Sequence, residues 1–380
     1  MLLKLSVIEM KHQFKRITFY VFALLTAIFV FTQIGEFEMW AKHPDEQEDI
    51  YLLANQMIGD SRQLDEVTAQ KGVYELLQRA IESRKIIVQG LIINKERKLS
   101  EEQITLIKEV MQKISPEGKG ILTEENLNLS GEEFERIIDE LDEKLGGRTV
   151  ITKERRISWI PHQPKSYEQC VADKERLVGL GFTSLMAQMF CDYYGISLSM
   201  LTVFLSAFMF YRDRRSRILE LVCSRPVGGV SYVFSKFIGM CIPIFASIMA
   251  VACIPTFYAI KMKLEGYDVN VFAYFSTFAV WLFPGVMFVV ALSMMVSLLS
   301  NSPIAAIGVQ YVIFFLTVMP LYGDYSLSKV FIRHNTLEPL MNPQAFYINR
   351  IFIFVMSIII TFITAGIWQR KRRHIGERIK

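Results

Sequence analysis

Five cysteines and five histidines are scattered through 380 residues, and neither set forms a working cluster. Cys170, Cys191, Cys223, Cys241 and Cys253 show no C-x-x-C spacing, which argues against zinc and dithiol frameworks. They read as small apolar packing residues. His12, His43, His162, His334 and His374 include no H-E-x-x-H pair, and no G-x-S-x-G occurs, so the usual metalloprotease and serine-hydrolase patterns are missing. Asp45-Glu46-Gln47-Glu48-Asp49 lacks the glycine and spacing of a calcium loop and reads as a solvated helix start, so no metal site is expected. A phosphate-binding loop is missing as well. Glu117-Gly118-Lys119-Gly120 has neither the upstream glycine nor the hydroxyl residue that would hold Mg²⁺. No catalytic residue is expected here, and this sequence cannot by itself hydrolyse ATP.

What the chain has in excess is apolar residues, at 52% and a mean hydropathy of +0.29. They concentrate in the first 35 residues and in the last 200 or so. Charge is divided in the opposite sense. Residues 36–181 hold 29 acidic and 21 basic side chains, while the remainder holds 9 and 21. An acidic block between basic, apolar regions fits an external domain on a membrane anchor and argues against nucleic-acid binding. Cys170 is the one cysteine of the acidic block, which leaves it no partner for a disulfide there.

Leu3, Val7, Met10 and Phe14 recur at four-three-four spacing among Lys4, Lys11, Lys15 and Arg16, a pattern of an amphipathic interfacial helix. Ile17 to Gly35 follows without charge, long enough to cross a bilayer. Glu36-Phe37-Glu38-Met39-Trp40 offers no small-x-small cleavage site, so the segment reads as an uncleaved first span with its amino terminus inside.

Residues 36–183 contain no spanning run, and helical periodicity dominates. Ile104, Ile107, Val110, Met111 and Ile114 form one stripe behind the capping box Ser100-Glu101-Glu102-Gln103. Phe134, Ile137, Ile138, Leu141 and Leu145 form a second between Ser130 and the Gly146-Gly147 stop. Val73, Leu76, Leu77, Ala80 and Ile81 make a third. Trp159 to Pro164 reads as extended or turn.

Five more apolar stretches follow, near 190–211, 237–260, 271–299, 304–322 and 347–368. The fold class expected is an all-α membrane protein of six transmembrane helices with a mostly helical extracellular domain. Its parts are 1–35 (interfacial helix and first span), 36–183 (the domain) and 184–380 (five spans and a basic tail). With the amino terminus inside, the alternation places 212–236, Asn301 and the tail Arg370-Lys371-Arg372-Arg373 in the cytoplasm, as the positive-inside rule asks.

The most informative segment opens with Arg212, Asp213, Arg214, Arg215 and Arg217. It continues through Leu219-Glu220-Leu221 to Ser224-Arg225-Pro226-Val227, and Lys236 opens the next span. Leu219, Val222 and Cys223 share a helical face, Pro226 ends it and Gly228-Gly229 bends the chain. Taken alone, the arginines could serve only to fix orientation in the membrane. With its continuation, the segment resembles the cytoplasmic coupling segment of ABC type-2 exporter permeases, with Arg217-Ile218 where that family often has Gly-Thr. The resemblance covers residues 1–35 and 184–380. It implies a coupling helix at about 212–230 and a dimer of permeases, homo- or heteromeric, in the lipid bilayer. It also implies cytoplasmic ABC ATPase subunits that carry the ATP and Mg²⁺, with no cofactor on this chain. Arg212, Asp213, Arg214, Arg215, Arg217, Leu219, Glu220, Arg225 and Pro226 would meet the ATPase, the charged ones through charge-assisted contacts.

Two other readings are open: a four-span mechanotransmitting ABC permease, and a non-transport receptor with an external sensing domain. Pathway candidates are Asp192, placed near the outer boundary beside Tyr193 and Tyr194, and the prolines Pro243, Pro255 and Pro284 in spans three and four. Asp192 reads either as a solvated interfacial group or as part of an ion or substrate route. Arg350 is expected to snorkel outward. Nothing in the sequence names the cargo.

Overall fold

The computed structural model describes residues 2–33, 66–88, 95–115, 129–156, 159–160, 167–215, 227–264, 269–318, 325–334, 337, 339–340 and 342–379. Asp45–Asp49 and most of the proposed coupling segment (216–226) lie outside them. The chain divides into two compact units, Met1–Lys42 with Lys174–Lys380, and His43–Asp173. In chain order the described elements are α1 (Leu2–Phe14), α2 (Ile17–Thr32), α3 (Glu66–Ser83), β1 (Lys85–Val88), β2 (Lys95–Lys98), α4 (Glu101–Ile114), α5 (Gly131–Lys144) and α6 (Lys153–Arg156). Then come α7 (Tyr167–Gly179), α8 (Phe182–Ser206), α9 (Met209–Arg215), α10 (Gly229–Leu264), α11 (Ala273–Trp281), α12 (Phe283–Ser300), α13 (Pro303–Val318) and α14 (Pro343–Ile379).

In the 43–173 unit the three expected stripes meet. Val73 and Leu77 of α3, Ile107 and Ile114 of α4, and Phe134 and Ile138 of α5 are fully or almost fully buried in one core. Ser100 starts α4 through a reciprocal capping box with Gln103, and the Ser130 hydroxyl accepts from the Glu133 amide to start α5. Gly146 and Gly147 stop α5 in the left-handed region, at φ 91° and 73°. Asp142 then gathers the chain beyond them, accepting from the Thr149 amide (2.7 Å), the Thr149 hydroxyl (2.6 Å) and the Arg148 amide (3.1 Å). Thr149 is thereby delivered to an antiparallel bridge with Val88. This unit is not helix alone: β1 and β2 pair antiparallel, Lys85 opposite Lys98. Trp159 and Ile160 form a turn, as expected.

In the other unit all six apolar stretches fold as helices. Four are long and apolar enough to cross a membrane: Phe182–Arg215, Gly229–Lys261, Ala273–Ser300 and Pro343–Arg373. Counting α1 and α2, bent by 69°, as one broken span gives five. The sixth stretch, α13, has 16 described residues, about 24 Å at a helical rise and short of a ~30 Å hydrocarbon core. α2 buries only a narrow stripe, Phe19, Phe22, Thr26 and Val30. Ile17, Tyr20, Leu24, Ile28 and Phe31 stay exposed, a face suited to lipid.

The prolines divide into two kinds. Pro243 and Pro255 sit inside the continuous 36-residue α10 and break nothing. Pro284 stands in the first turn of α12, just past a break at Leu282 that splits the fourth span. A neighbouring segment packs tightly beside the break. A Cβ on Gly285 would come within 2.8 Å of the Phe331 ring and 2.9 Å of the Val330 carbonyl, so the 330–334 segment lies directly against it. Phe331, Ile332 and His334 are buried there, and the Trp281 indole donates to the Ile332 carbonyl (3.0 Å). The connection before the last span is therefore folded into the helices over these residues.

Arg350 does not snorkel. It is 3% exposed and donates to the carbonyls of Trp281 (2.8 Å) and Lys329 (3.1 Å) and to the Asn349 amide oxygen (3.0 Å). The Trp281 carbonyl is freed by the helix break, and the guanidinium supplies the donor that a continuous helix would have provided.

Candidate functional site

The site is built around the chain leading into and out of residues 216–226. α8 ends at Ala207–Phe208, where Arg212 folds back and donates from Nε to the Phe208 carbonyl (3.1 Å) and from Nη2 to that of Leu205 (2.9 Å). The Ser297 hydroxyl of α12 donates to the Ala207 carbonyl (2.6 Å). These donors gather at the α8–α9 junction, where the Phe208 carbonyl also accepts from the Arg212 amide (2.9 Å). The arginine cluster then continues as α9. Arg212 and Arg214 are half-buried and Arg215 is exposed, with Arg214 within electrostatic range of Lys371.

Asp213 points the other way, into the protein, and is buried. It accepts from the Tyr232 hydroxyl and pairs with the Lys236 ammonium at 2.8 Å. Lys236 reaches Glu9 of α1 at 2.7 Å as well and lies 5.2 Å from the centre of the Tyr232 ring. One buried cation, 3% exposed, thus serves two carboxylates on two different helices. Leaving such a lysine unpaired would cost several kcal/mol, and each carboxylate reduces that cost.

α1 is arranged to make this possible. Its apolar stripe, Leu3, Val7 and Phe14, is exposed, whereas Ser6 and Gln13 are buried. The side carrying Ser6, Glu9 and Gln13 therefore meets protein, while Leu3, Val7 and Phe14 stay exposed together with Lys4, Lys11 and Lys15. The approach is close at Gly239, where a Cβ would lie 2.5 Å from the Glu9 Cβ and 3.3 Å from the Met10 nitrogen and the Ser6 carbonyl. The interfacial helix expected from the sequence is thus docked on α10 through its polar side.

The other end of the 216–226 stretch is also held. Arg372 of α14 donates to the Val227 carbonyl and lies 5.6 Å over the Trp368 ring. Trp368 packs on Tyr232 at 4.7 Å between centroids. Lys371 donates to the Leu298 carbonyl at the end of α12 and to the Asn301 amide oxygen (2.9 Å). Asp213 and Val227, the two feet of the stretch, are consequently fastened to one aromatic and cationic cluster.

Of the docking residues expected from the sequence, Arg212, Asp213, Arg214 and Arg215 are found on α9. Arg217, Leu219, Glu220, Arg225 and Pro226 lie outside the described residues. The pathway candidates do not converge. Asp192 is 1% exposed and ten residues inside α8, so its side chain is packed in protein and not solvated. A shallow groove lies between α8 and α13. It is lined by Met200, Val203, Gln310, Tyr311 and Phe314, with none of the four candidates on its wall. Gln310 donates there to the Ser199 carbonyl at 2.8 Å.

Nothing in the sequence signals the roles of Glu9, Tyr232 and Trp368, and Lys236 and Arg372 show there only as the opening of a span and part of a basic tail. A signal existed for Lys236, a cation two turns inside a long apolar helix and 25 residues from the next one, Lys261.

The sequence description of the ABC-2 family transporter protein matches residues 9–357, which include both carboxylates and the lysine of this cluster. No curated protein and no solved structure matches the chain. The match spans nearly all of a chain built from apolar helices of membrane-crossing length. The chain belongs to the ABC-2 transporter family and is a multi-pass membrane permease subunit of an ABC transporter.

Proposed function

We propose that this permease is the membrane subunit of an ATP-driven exporter, and that residues 212–226 dock on a separate cytoplasmic ATPase that binds the ATP and Mg²⁺. The observation that carries this reading is the fastening of both feet of the segment, Asp213 through Lys236 and Tyr232, and Val227 through Arg372. A segment that receives force from a partner must be tied to the helices it is to move. A topological marker alone needs no such ties. Closure of the ATPases would displace the segment, and with it α8, α10 and α14.

In this reading the chain crosses the membrane six times, with both termini in the cytoplasm and residues 36–183 outside. Two permeases, identical or sister chains, sit on two ATPases. The match over residues 9–357 favours this reading over a four-span mechanotransmitter or a sensing receptor. The test is co-purification with the ATPase and nucleotide-driven transport. Glu220→Arg should abolish co-purification or coupled hydrolysis while leaving the permease in the membrane. Normal assembly and coupling in that variant would refute the docking role.

A further inference from the structure

We propose that Lys236 is a positioning residue that makes α1 part of the same moving unit as the docking segment. This rests on the docking reading for its functional meaning, but its structural content is separate from it. Lys236 is the one described side chain that pairs with both Glu9 and Asp213, at 2.7 and 2.8 Å. Arg212 and Arg16 lie within electrostatic range of this group, so the two carboxylates stand among three cations. Buried pairs of this kind contribute little net stability over an apolar core, because desolvation offsets attraction, but they can fix one arrangement against others. Here the arrangement fixed is the placement of α1 relative to α9. Without the ammonium, Glu9 and Asp213 lose the charge that joins them, and α1 loses its ion-pair tie to α9.

The remaining contacts of α1 run mainly along α10. Its apolar stripe is exposed, and its bond to the rest of the protein is the Ser6, Glu9 and Gln13 face against α10 at Gly239. The Glu9 arm gives the docking segment a handle on a helix 200 residues away in sequence. A displacement of Asp213 is then delivered to α1 as well as to α8 and α10.

The experiment uses the full-length permease in lipid nanodiscs, with its five native cysteines replaced by serine. Spin labels are placed at Lys4 and Arg215, both exposed. Pulsed electron resonance should give a single narrow distance in the parent and a distribution broadened by about 5 Å, one helical turn, in Lys236→Met. Lys236→Arg, which keeps the charge, should restore the narrow distance; a residue with only a packing role would not be rescued by the bulkier guanidinium. Should Lys236→Met fail to fold, Glu9→Gln removes only the α1 arm and should broaden the same distance. A distribution unchanged in a folded Lys236→Met or Glu9→Gln protein overturns the proposal. The measurement needs no ATPase. Broadening in a permease that binds no ATPase therefore supports the positioning role and counts against the docking reading alone.

Discussion

Breaking the ion pair between Arg156 and Glu135 should cost very different amounts depending on which partner is removed. The pair is bidentate, with Arg156 Nη1 donating to Glu135 Oε2 at 2.9 Å. The arginine side chain is 4% exposed and the glutamate 27%. Glu135→Ala leaves a charged guanidinium buried with a weak bond to the Ile151 carbonyl (3.5 Å) and the Phe134 ring 5.3 Å away. A buried charge stripped of its partner costs about 3–5 kcal/mol, and the ring returns part of that, leaving about 3 kcal/mol. Arg156→Met leaves the carboxylate instead, which can turn to water, and the methionine keeps much of the stem packing. That loss resembles an exposed pair, about 1 kcal/mol. Hydrogen exchange of the α5 and α6 amides in the full-length protein reads the difference as local opening. Exchange should rise about 150-fold in Glu135→Ala and about 5-fold in Arg156→Met. Equal effects, or a larger one from Arg156→Met, would refute the assignment of Arg156 as the committed, buried member.

Gly239→Leu should displace α1, since its first side-chain atom already meets Glu9 and the backbone of Ser6 and Met10. We expect a lower melting temperature in detergent and a smaller loss for Gly239→Ala; parent-like melting of Gly239→Leu would show that α1 is not packed there. Cysteine labelling tests packing and topology together. A membrane-permeant maleimide should label the exposed Cys253 faster than the buried Cys191 and Cys241. In intact cells an impermeant reagent should reach Cys170 and spare Cys223, and labelling of Cys223 would overturn the proposed orientation.

Local features were readable from the sequence because they are encoded locally. Ser100 with Gln103, Ser130 with Glu133, and Gly146-Gly147 each act within one helical turn, and each does in the structure what its spacing requires. The apolar stretches were equally plain, although helix ends moved by several residues: α8 begins at Phe182 and α10 at Gly229. What the sequence could not convey is partnership across distance. Glu9 and Lys236 are 227 residues apart, so only the fold makes them one group. The stripe Leu3-Val7-Met10-Phe14 is visible in the sequence, but nothing there shows that Ser6, Glu9 and Gln13 pack against α10. Arg350 was misplaced for a related reason. Snorkelling assumes that water is the nearest source of acceptors, and here a broken helix presents the Trp281 carbonyl closer by. The three prolines were indistinguishable in sequence, and only the crowding of Phe331 against Gly285 marks Pro284 as the one beside a real break.

The last helix behaves as a ruler. Arg350 near one end grips the broken span and the folded-in connection, and Lys371 and Arg372 near the other grip the end of α12 and Val227. The two grips lie roughly six turns apart, about 32 Å along the axis, close to the thickness of a hydrocarbon core. Both length and phase are therefore set. One residue inserted between them would swing one grip by about 100° away from its acceptors. Seven would restore the phase yet overshoot the bilayer by about 10 Å. Side chains facing lipid along this helix are free to vary, but the number of residues between its two anchors is not.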